Sequence, residues 1–348
     1  LRMAADVDTF MATMVAPMQP VPIERALALV RERYGLTPRA SRLTGERDEN
    51  FRLATADGAE YVLKIANPAE NPAETDLQTA ALLHLEKSAP ELPCPRVLRD
   101  RTGNPYVRFT DEAGAERTAR VLTFLPGRLL GAATRSRRQR AVCGRIGARL
   151  TLALRGFEHP AARRMIVWDV RHTGHMSRLL EDLPRFPFRP AAAALLARLT
   201  PRIESQLPLL RHQIVHNDLN PLNILVEPAD PDRVTGVIDF GDMTHTALIA
   251  DVAVTAAELI PPDCTDPGEA RGSVLDVVSA YHEAVPLVPA ELAVLGALVA
   301  ARLLMTLVIH EWHVQRNPAS GHFKPLEEDF MRARLHIAAA LLLEEIRP

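Results

Sequence analysis

The sequence changes its pattern once, near Pro126-Gly127, and this change constrains the fold more than any other feature. Before it, short alternating apolar segments are bounded by turn residues; after it, most of the chain follows the helical period of 3.6 residues. A chain of 348 residues is long enough for two domains. We therefore expect an α+β protein with an N-terminal lobe of residues 1–126 and a larger C-terminal lobe of residues 127–348.

The N-terminal lobe is predicted to be a small five-stranded antiparallel sheet with two helices. An amphipathic pattern predicts a helix over residues 23–33, and Pro72 begins a second helix that continues to about Lys87. Asp57-Gly58 is a strong hairpin signal between two strand segments. The predicted strands are residues 39–44, 50–56, 61–66, 105–110 and 118–125.

The C-terminal lobe is predicted to be mainly helical. An apolar run at residues 292–309 includes Arg302, so we expect a buried core helix and not a membrane span. Short strands are expected at Ile214–Val215, grouped with Ile224–Val226, and at Val234–Ile238. The predicted helices are residues 136–155, 190–210, 246–259, 269–283, 289–315 and 325–346.

Charge and cysteine content exclude some classes of function. The formal net charge is −2, which lacks the electrostatic footprint of a nucleic-acid-binding protein. Three cysteines, at positions 94, 143 and 264, have no zinc-type spacing, and their odd number favours a reducing, cytoplasmic location. Six arginines are expected on a solvated helix face; they are residues 135, 137, 138, 140, 145 and 149.

The segment from His216 to Val226 is the most informative in the chain. It fits the pattern H-x-D-L-x-x-x-N, and sixteen residues after Asn223 comes Asp239-Phe240-Gly241. Phosphoryl transfer needs an Asp that deprotonates the acceptor hydroxyl, here Asp218, and oxygen ligands for Mg²⁺, here Asn223 and Asp239. An Asp in a polar loop is more often a turn residue, but two motifs in order, each beside an apolar strand, favour the catalytic interpretation.

A lysine in a predicted strand of the N-terminal lobe fits the same chemistry. Lys64 lies within Tyr61–Ile65 and corresponds to the lysine that contacts the α- and β-phosphates of a nucleotide. The alternative is an edge-strand lysine that faces solvent. Its usual partner is a helix Glu, and the sequence leaves open whether Glu74 or Gln78 faces it.

Several nucleotide-binding motifs are absent from the sequence. It has neither G-x-x-x-x-G-K-[ST] nor G-x-G-x-x-G, which excludes a P-loop and gives no sign of a Rossmann site. The predicted turn at residues 45–50 could cover phosphates through backbone N–H groups and the side chain of Asn50. The short interval between Asp239 and Asp251 leaves no room for an activation segment, so we expect a small-molecule acceptor.

These motifs resemble the aminoglycoside phosphotransferase/choline kinase superfamily over nearly the whole chain from about residue 25, and most of all the hydroxylysine kinase group. The resemblance implies a bilobal protein-kinase-like fold, Mg²⁺, and transfer of the γ-phosphoryl of ATP or GTP to a small hydroxylated amine or amino acid. The acceptor that the resemblance implies is 5-hydroxylysine. The segments that carry the likeness to that group are residues 45–51, 62–70, 122–127 and 238–243.

The resemblance also implies roles for individual residues. It places a nucleotide slot between the lobes, with Thr123–Leu125 (Thr123, Phe124 and Leu125) as the connecting strand that hydrogen-bonds the base. Asp251 is expected to brace the catalytic loop, with His216 as structural support. Asn217 occupies a position that is often Gly in the family, and Asn also accepts left-handed backbone angles.

The acceptor site is less well defined by the sequence. An amino-acid acceptor carries a carboxylate and an ammonium group, so it needs an Arg and carboxylates. For each candidate, a buried polar residue or core aromatic is the commoner explanation; the candidates are Trp168, Asp242, Arg302, Glu311 and Trp312. Aminoglycoside, choline/ethanolamine or homoserine kinase activity is an alternative, and Gln78 keeps open a nucleotide-binding pseudokinase or partner-binding module.

Overall fold

This computed structural model describes residues 19–45, 48–132, 135–316 and 323–348. The chain divides between Pro126 and Gly127 into two compact units, the N-terminal unit and the C-terminal unit. Two residues of the predicted phosphate-covering turn, Glu46 and Arg47, lie outside the described residues.

The N-terminal unit contains one antiparallel sheet. Its strand order is β1-β2-β3-β6-β4, and β5 also pairs with β6. All five predicted strands are present; the additional strand, β4, has only two residues and gives no detectable sequence pattern. The strands are β1 (Arg39–Leu43), β2 (Glu49–Ala54), β3 (Glu60–Ile65), β4 (Val97–Leu98), β5 (Val107–Thr110) and β6 (Glu116–Thr123).

In the part of this unit that the structure describes, two helices accompany the sheet. Helix α1 (Ile23–Tyr34) ends at Gly35, whose φ of 72° suits a residue without a β-carbon. Helix α2 (Pro72–Ser88) begins where Pro72 predicts, because the Asn71 side chain accepts the backbone N–H of Ala73 at 3.0 Å. The predicted apolar face of α2 is buried; its residues are Leu77, Ala81, Leu82 and Leu85.

The C-terminal unit is mainly helical, as predicted. The six long helices that the sequence predicts are all present, each within a few residues of its predicted ends. Within the described ranges, the short helix α4 and three 3₁₀ turns, at residues 130–132, 160–162 and 170–175, were not predicted. A fourth 3₁₀ turn, at residues 207–209, lies inside the predicted helix 190–210. The helices are α3 (Arg137–Ala153), α4 (Met176–Glu181), α5 (Arg189–Gln206), α6 (Leu248–Glu258), α7 (Pro267–His282), α8 (Pro289–Arg316) and α9 (Glu328–Leu341).

Helix α8 is apolar and long enough to cross a membrane by composition alone. However, 83% of its most apolar window is buried inside the protein. Helices α5, α6 and α9 all pack against it. Its hydrophobicity is therefore explained by its place in the core of the C-terminal unit.

Two small sheets hold the motif-bearing loops. In the first, β9 (Ile224–Val226) pairs with β10 (Val234–Val237) and with β7 (Arg128–Leu129). In the second, β8 (His212–Val215) pairs with β11 (Thr244–Ala247). The predicted grouping of 214–215 with 224–226 is wrong, since β8 takes a partner whose Thr-His-Thr-Ala sequence has no apolar alternation.

The arginines around the start of α3 do not share one environment. Arg137 and Arg138 are exposed, as predicted. Arg140 instead donates to the carboxylate of Asp276 from α7 and is only 13% exposed. Arg135 is half-buried, and its Nη1 donates to the carbonyl oxygen of Ile260 at 2.8 Å. The expected solvated face is therefore wrong for Arg135 and Arg140, because the chain near α6 and α7 covers them.

Candidate active site

A buried histidine stabilises the loop between β8 and β9 through hydrogen bonds to the backbone. His216 is fully buried, and its Nδ1 accepts the backbone N–H of Asp218 at 3.3 Å. Its Nε2 therefore carries the hydrogen and donates to the carbonyl oxygen of Ile238 at 3.2 Å. Burial lowers the pKa of His216, so the ring stays neutral. This neutral imidazole links the Asp218 loop to the strand end that precedes Asp239.

The backbone of the same loop is fixed by Asn217 and Asp251. Asn217 has φ 65°, the left-handed conformation that the sequence suggests. Its N–H donates to Oδ1 of Asp251 in α6 at 2.7 Å, so Asp251 contacts the loop. Burial raises the pKa of Asp251 to about 6, while this hydrogen bond opposes the shift.

Asp218 lies at the centre of a network within the C-terminal unit. Its Oδ2 accepts the side-chain amides of Asn223 at 2.7 Å and Asn220 at 2.9 Å. Its Oδ1 accepts Nη2 of Arg302 at 2.9 Å. Burial raises the pKa of Asp218 and the Arg302 guanidinium opposes that effect. The side chain is still 19% exposed, so an oriented carboxylate remains accessible.

Arg302 connects Asp218 to two further groups. It is only 4% exposed, and its Nε donates to Oε1 of Glu258 at 2.8 Å. Its Nη1 donates to the carbonyl oxygen of Trp168 at 3.3 Å, and the guanidinium lies 4.8 Å from the centre of that indole ring. Burial alone would lower the pKa of Arg302, but the two carboxylates outweigh it. Trp168 and Arg302, two predicted acceptor residues, therefore lie in the Asp218 network.

Asn223 and Asp239 form a donor set that suits a hard divalent cation. The Asn223 amide nitrogen donates to the carbonyl and the carboxylate of Asp218, at 2.9 Å and 2.7 Å, which leaves its oxygen as the free donor atom of that side chain. The carbonyl oxygen of Asn223 also accepts the backbone N–H of Ile238 at 2.9 Å. This bond joins the backbone of Asn223 to the residue directly before Asp239. Asp239 is exposed, with φ 59°. Among the described residues no group of three His, Cys, Asp or Glu forms an alternative metal site.

The turn after Asp239 is braced by an arginine that sequence reasoning missed. Arg164 Nη2 donates to the carbonyl oxygens of Gly241 and Met243. Asp242, a predicted acceptor residue, lies between these two and is half-buried. Its charge acts on Asp218, where it raises the pKa. No motif identifies Arg164, which precedes Asp239 by 75 residues (239 − 164).

In the N-terminal unit, three polar residues lie side by side on the sheet. Asn50 in β2 is opposite Lys64 in β3, which is opposite Arg120 in β6. Directly opposite residues in antiparallel strands share one face of a sheet. Lys64 Nζ lies 3.9 Å from Oδ2 of Asp48, and its side chain is 17% exposed. Asn50 Oδ1 is buried and has no hydrogen-bond partner among the described residues.

Gln78 does not serve as the partner of Lys64. Its Oε1 accepts Nη2 of Arg120, and both side chains are buried. Arg120 Nη1 also donates to the hydroxyl of Thr79 at 3.3 Å. Gln78 in α2 therefore pairs with Arg120 on β6, the strand next to the one that carries Lys64. No sequence pattern indicates this pairing, because Arg120 lies in an ordinary strand pattern.

The predicted base-binding segment is only partly a strand. β6 ends at Thr123, and Phe124 and Leu125 follow outside it. The backbone N–H of Thr123 donates to the carbonyl oxygen of Arg96 at 2.9 Å, and the backbone N–H of Phe124 donates to the carbonyl oxygen of Glu60 at 3.1 Å. These two N–H groups are used within the unit, so base contacts from them are excluded unless these bonds break.

The other two predicted acceptor residues lie apart from the Asp218 network in the described part of the chain. Trp312 is 7% exposed and meets the ring of His313 edge-on, with centroids 5.4 Å apart. Glu311 Oε1 accepts the side-chain amide of Gln315 at 2.7 Å. Their contacts are those of a packed helix end.

Comparison with known proteins assigns the family. The model of the phosphotransferase enzyme family (APH) matches residues 40–284, more than half of the chain. The chain is 29% identical to the hydroxylysine kinase of Danio rerio, over 85% of each sequence. It is 27% identical to that of Mus musculus, over 88% of this chain and 87% of the relative. It is 26% identical to the homoserine kinase of Parvibaculum lavamentivorans, over 85% of this chain and 87% of the relative.

Solved structures show the same fold. An amicoumacin kinase in complex with AMP-PNP, Ca²⁺ and Ami matches with a TM-score of 0.68 at 14% identity, over 92% of this chain and 94% of that one. A microcompartment-associated aminopropanol kinase also matches with a TM-score of 0.68, at 20% identity, over 92% and 95%. Together with the geometry around Asp218, these matches show that the chain belongs to the phosphotransferase enzyme family and is a small-molecule kinase with a hydroxyl acceptor.

Proposed function

We propose that the protein transfers the γ-phosphoryl group of GTP or ATP, with Mg²⁺, to the side-chain hydroxyl of 5-hydroxylysine. The observation that supports it best is the three-partner orientation of Asp218 by Asn220, Asn223 and Arg302, with 19% of the carboxylate side chain still exposed. The hydroxylysine kinases among its relatives, such as those of Danio rerio and Mus musculus, support this acceptor.

Asp218 is the proposed base. Its carboxylate would accept the proton of the acceptor hydroxyl as the hydroxyl oxygen bonds to the γ-phosphorus. The bond from that phosphorus to the β,γ-bridging oxygen breaks, and the nucleoside diphosphate leaves. The base contributes about 10²–10⁴-fold in rate. The hydrogen bonds from Asn220 and Asn223 hold Oδ2, and Arg302 holds Oδ1. His216 and Asp251 act through the backbone of the loop and do not touch the reacting atoms.

Asn223 and Asp239 are the proposed Mg²⁺ ligands. The amide nitrogen of Asn223 is held by Asp218, which orients the amide oxygen for coordination. When bound, Mg²⁺ neutralises charge on the β- and γ-phosphates. Arg164 holds the turn after Asp239 by its bonds to backbone carbonyls, so that the carboxylate has a fixed support.

The N-terminal unit is proposed to bind the nucleotide. Lys64 would contact the phosphates and exchange the 3.9 Å ion pair with Asp48 for that contact. The unpartnered Oδ1 of Asn50 would accept a hydrogen bond from the ligand or a bridging water. Because Thr123 and Phe124 already use their N–H groups, we assign base recognition in this segment to carbonyl oxygens and to Leu125.

Homoserine is the second candidate acceptor, since a homoserine kinase is among the relatives. Both candidates are amino acids that carry a hydroxyl on the side chain. We also place the protein in the cytoplasm, with no nucleic-acid or membrane partner. All three cysteines are buried, and none forms a disulfide bond within the described residues, which supports a reducing compartment.

The experiment is a measurement of Mg²⁺-dependent nucleotide consumption with a panel of acceptors. ATP and GTP are each supplied with 5-hydroxylysine, homoserine, choline or an aminoglycoside. We expect the highest kcat/KM with 5-hydroxylysine, and equal activity of Asp329→Asn, a control at a fully exposed carboxylate. Nucleotide binding with no turnover on any acceptor would instead favour a pseudokinase.

A further inference from the structure

The C-terminal unit contains a cavity beside the Asp218 network that the kinase chemistry does not use. Its volume is about 120 Å³, and it is lined by residues from the C-terminal end of α6, the middle of α8 and the first half of α9. Pockets that enclose a whole drug-sized ligand measure roughly 300–1,000 Å³, so this one suits one end of a molecule. Its polar lining consists of Arg135, Glu258, Thr306 and Arg334, with Phe330 beside them.

Two arginines, Arg135 and Arg334, are among the residues that line this cavity. Arg334 is 6% exposed; its Nη2 donates to the carbonyl oxygen of Pro261 at 2.7 Å, and its guanidinium lies 4.9 Å from the ring centre of Phe330. Its Nη1 is buried and has no hydrogen-bond partner in the described ranges. Arg135 donates to the carbonyl oxygen of Ile260. Neither arginine forms an ion pair with a carboxylate of the described residues.

The surroundings of both guanidinium groups disfavour their positive charge. Burial lowers the pKa of both Arg135 and Arg334. The carboxylates of Glu258 and Asp263 oppose this only in part. Buried charges in proteins are normally paired, because an unpaired one loses its hydration without compensation. Two neighbouring guanidinium groups bonded only to neutral carbonyls therefore stabilise an anion that enters the cavity.

The lining of the cavity also includes the carboxylate of Glu258. Oε1 of Glu258 accepts Nε of Arg302 at 2.8 Å and the hydroxyl of Thr306 at 3.3 Å. Its Oε2 accepts no hydrogen bond from a described residue, and the side chain is 23% exposed. The same Arg302 guanidinium pairs with Asp218 through Nη2. One guanidinium thus separates the carboxylate of this cavity from the proposed base.

We propose that this cavity binds the α-amino-acid end of the acceptor. Its α-carboxylate pairs with Arg135 and Arg334, and its α-ammonium pairs with Glu258. The assignment rests on the proposed function and narrows it to acceptors that are amino acids. It also explains why two arginines and a carboxylate line one small cavity.

The test compares 5-hydroxylysine with 1,5-diaminopentan-2-ol, the same molecule without its carboxylate. We expect the wild type to prefer 5-hydroxylysine by about 10- to 100-fold in kcat/KM, the range for losing a hydrogen-bonded charge pair. Arg334→Gln and the less buried Arg135→Gln should lower kcat/KM for 5-hydroxylysine by that factor and leave the decarboxylated acceptor and the nucleotide KM unchanged. Arg332→Gln, on the exposed side of α9, is the control.

A binding measurement separates this proposal from the proposed function. Lysine and 1,5-diaminopentane, which cannot be phosphorylated on a hydroxyl, are titrated calorimetrically into the wild type and the same variants. We expect lysine to bind to the wild type and 1,5-diaminopentane not to bind. Arg135→Gln should weaken the affinity for lysine about 10- to 100-fold. If both variants turn over 5-hydroxylysine and still prefer it to 1,5-diaminopentan-2-ol as strongly as the wild type does, the subsite is overturned and the kinase assignment stays intact. Arg334-dependent lysine binding without turnover of any acceptor overturns the proposed function and leaves the subsite intact. Absence of lysine binding to the wild type also overturns the subsite.

Discussion

Replacement of Arg302 by methionine tests whether the guanidinium organises the candidate site. Methionine keeps a long apolar stem, so the substitution removes the charge and its hydrogen bonds while most of the packing remains. The bonds lost are those to Asp218 at 2.9 Å, Glu258 at 2.8 Å and the Trp168 carbonyl at 3.3 Å. Two carboxylates are then left without their common counter-ion.

The magnitude follows from the burial of these groups. Removal of one partner from a buried ion pair costs about 3–5 kcal/mol of unfolding free energy. The side chains of Asp218 and Glu258 are 19% and 23% exposed, so water partly replaces the guanidinium. We therefore expect Arg302→Met to lose about 2–3 kcal/mol. Turnover should fall at least about tenfold with an unchanged nucleotide KM, because Asp218 loses one of the three groups that orient it.

Urea unfolding followed by tryptophan fluorescence measures the stability of the relevant unit. The only two tryptophans, Trp168 and Trp312, both lie in the C-terminal unit, so the signal reports on that unit. The control is Arg202→Met, where a half-buried guanidinium donates to the carbonyl oxygens of Leu342 and Ala293 and to no carboxylate of the described residues. An Arg302→Met protein within about 0.5 kcal/mol of the wild type, with an equal urea slope and unchanged kcat, would refute the organising role.

Three further predictions concern the supports of the site. Gly144→Ala should lower the free energy of unfolding in urea by about 1–2 kcal/mol, because the new β-carbon would lie 2.2 Å from the backbone oxygen of Val277. Gly147→Ala, whose β-carbon would lie at ordinary contact distances, should raise it by up to about 1 kcal/mol, and equal effects of the two substitutions would contradict this. Asn217→Gly should keep full activity and not lower Tm, since φ 65° suits Gly and the buried side-chain amide has no partner among the described residues; a loss above about 1 kcal/mol would show that the amide is needed. Burial raises the pKa of Asp251 to about 6, so between about pH 4 and pH 6 the folded state holds a proton that the unfolded state has lost, and the wild type loses stability as the pH rises. The free energy of unfolding of Asp251→Asn should rise relative to that of the wild type by about 3 kcal/mol over this window, and a difference that does not change with pH would contradict the shift.

Local sequence signals predicted most of the elements. Helix α2 begins at Pro72 because Asn71 caps it, and the Asp57-Gly58 turn forms with Gly58 at φ 87°. The six long helices follow from apolar periodicity and Pro or Gly boundaries. These features depend on residues close in sequence, so a single sequence contains them.

Pairings that are distant in sequence were not predictable. β8 joins β11 rather than β9, and no local pattern specifies the partner of a four-residue strand. In the site, the motifs placed Asp218, Asn223 and Asp239, but not the contact of Asp218 with Arg302, which is 84 residues away in sequence. Arg135 was expected in solvent because helical periodicity does not show which other segments cover a residue.

The central claim is that Asp218 is the base of a phosphoryl transfer to 5-hydroxylysine. The most direct measurement is the rate of Mg²⁺-dependent formation of the phosphorylated amino acid by the wild type and by Asp218→Asn, followed by ³¹P NMR, with nucleotide affinity measured separately. We expect the variant to be about 10²–10⁴-fold slower with nearly unchanged nucleotide affinity. A variant that forms the product at the wild-type rate would contradict the assignment.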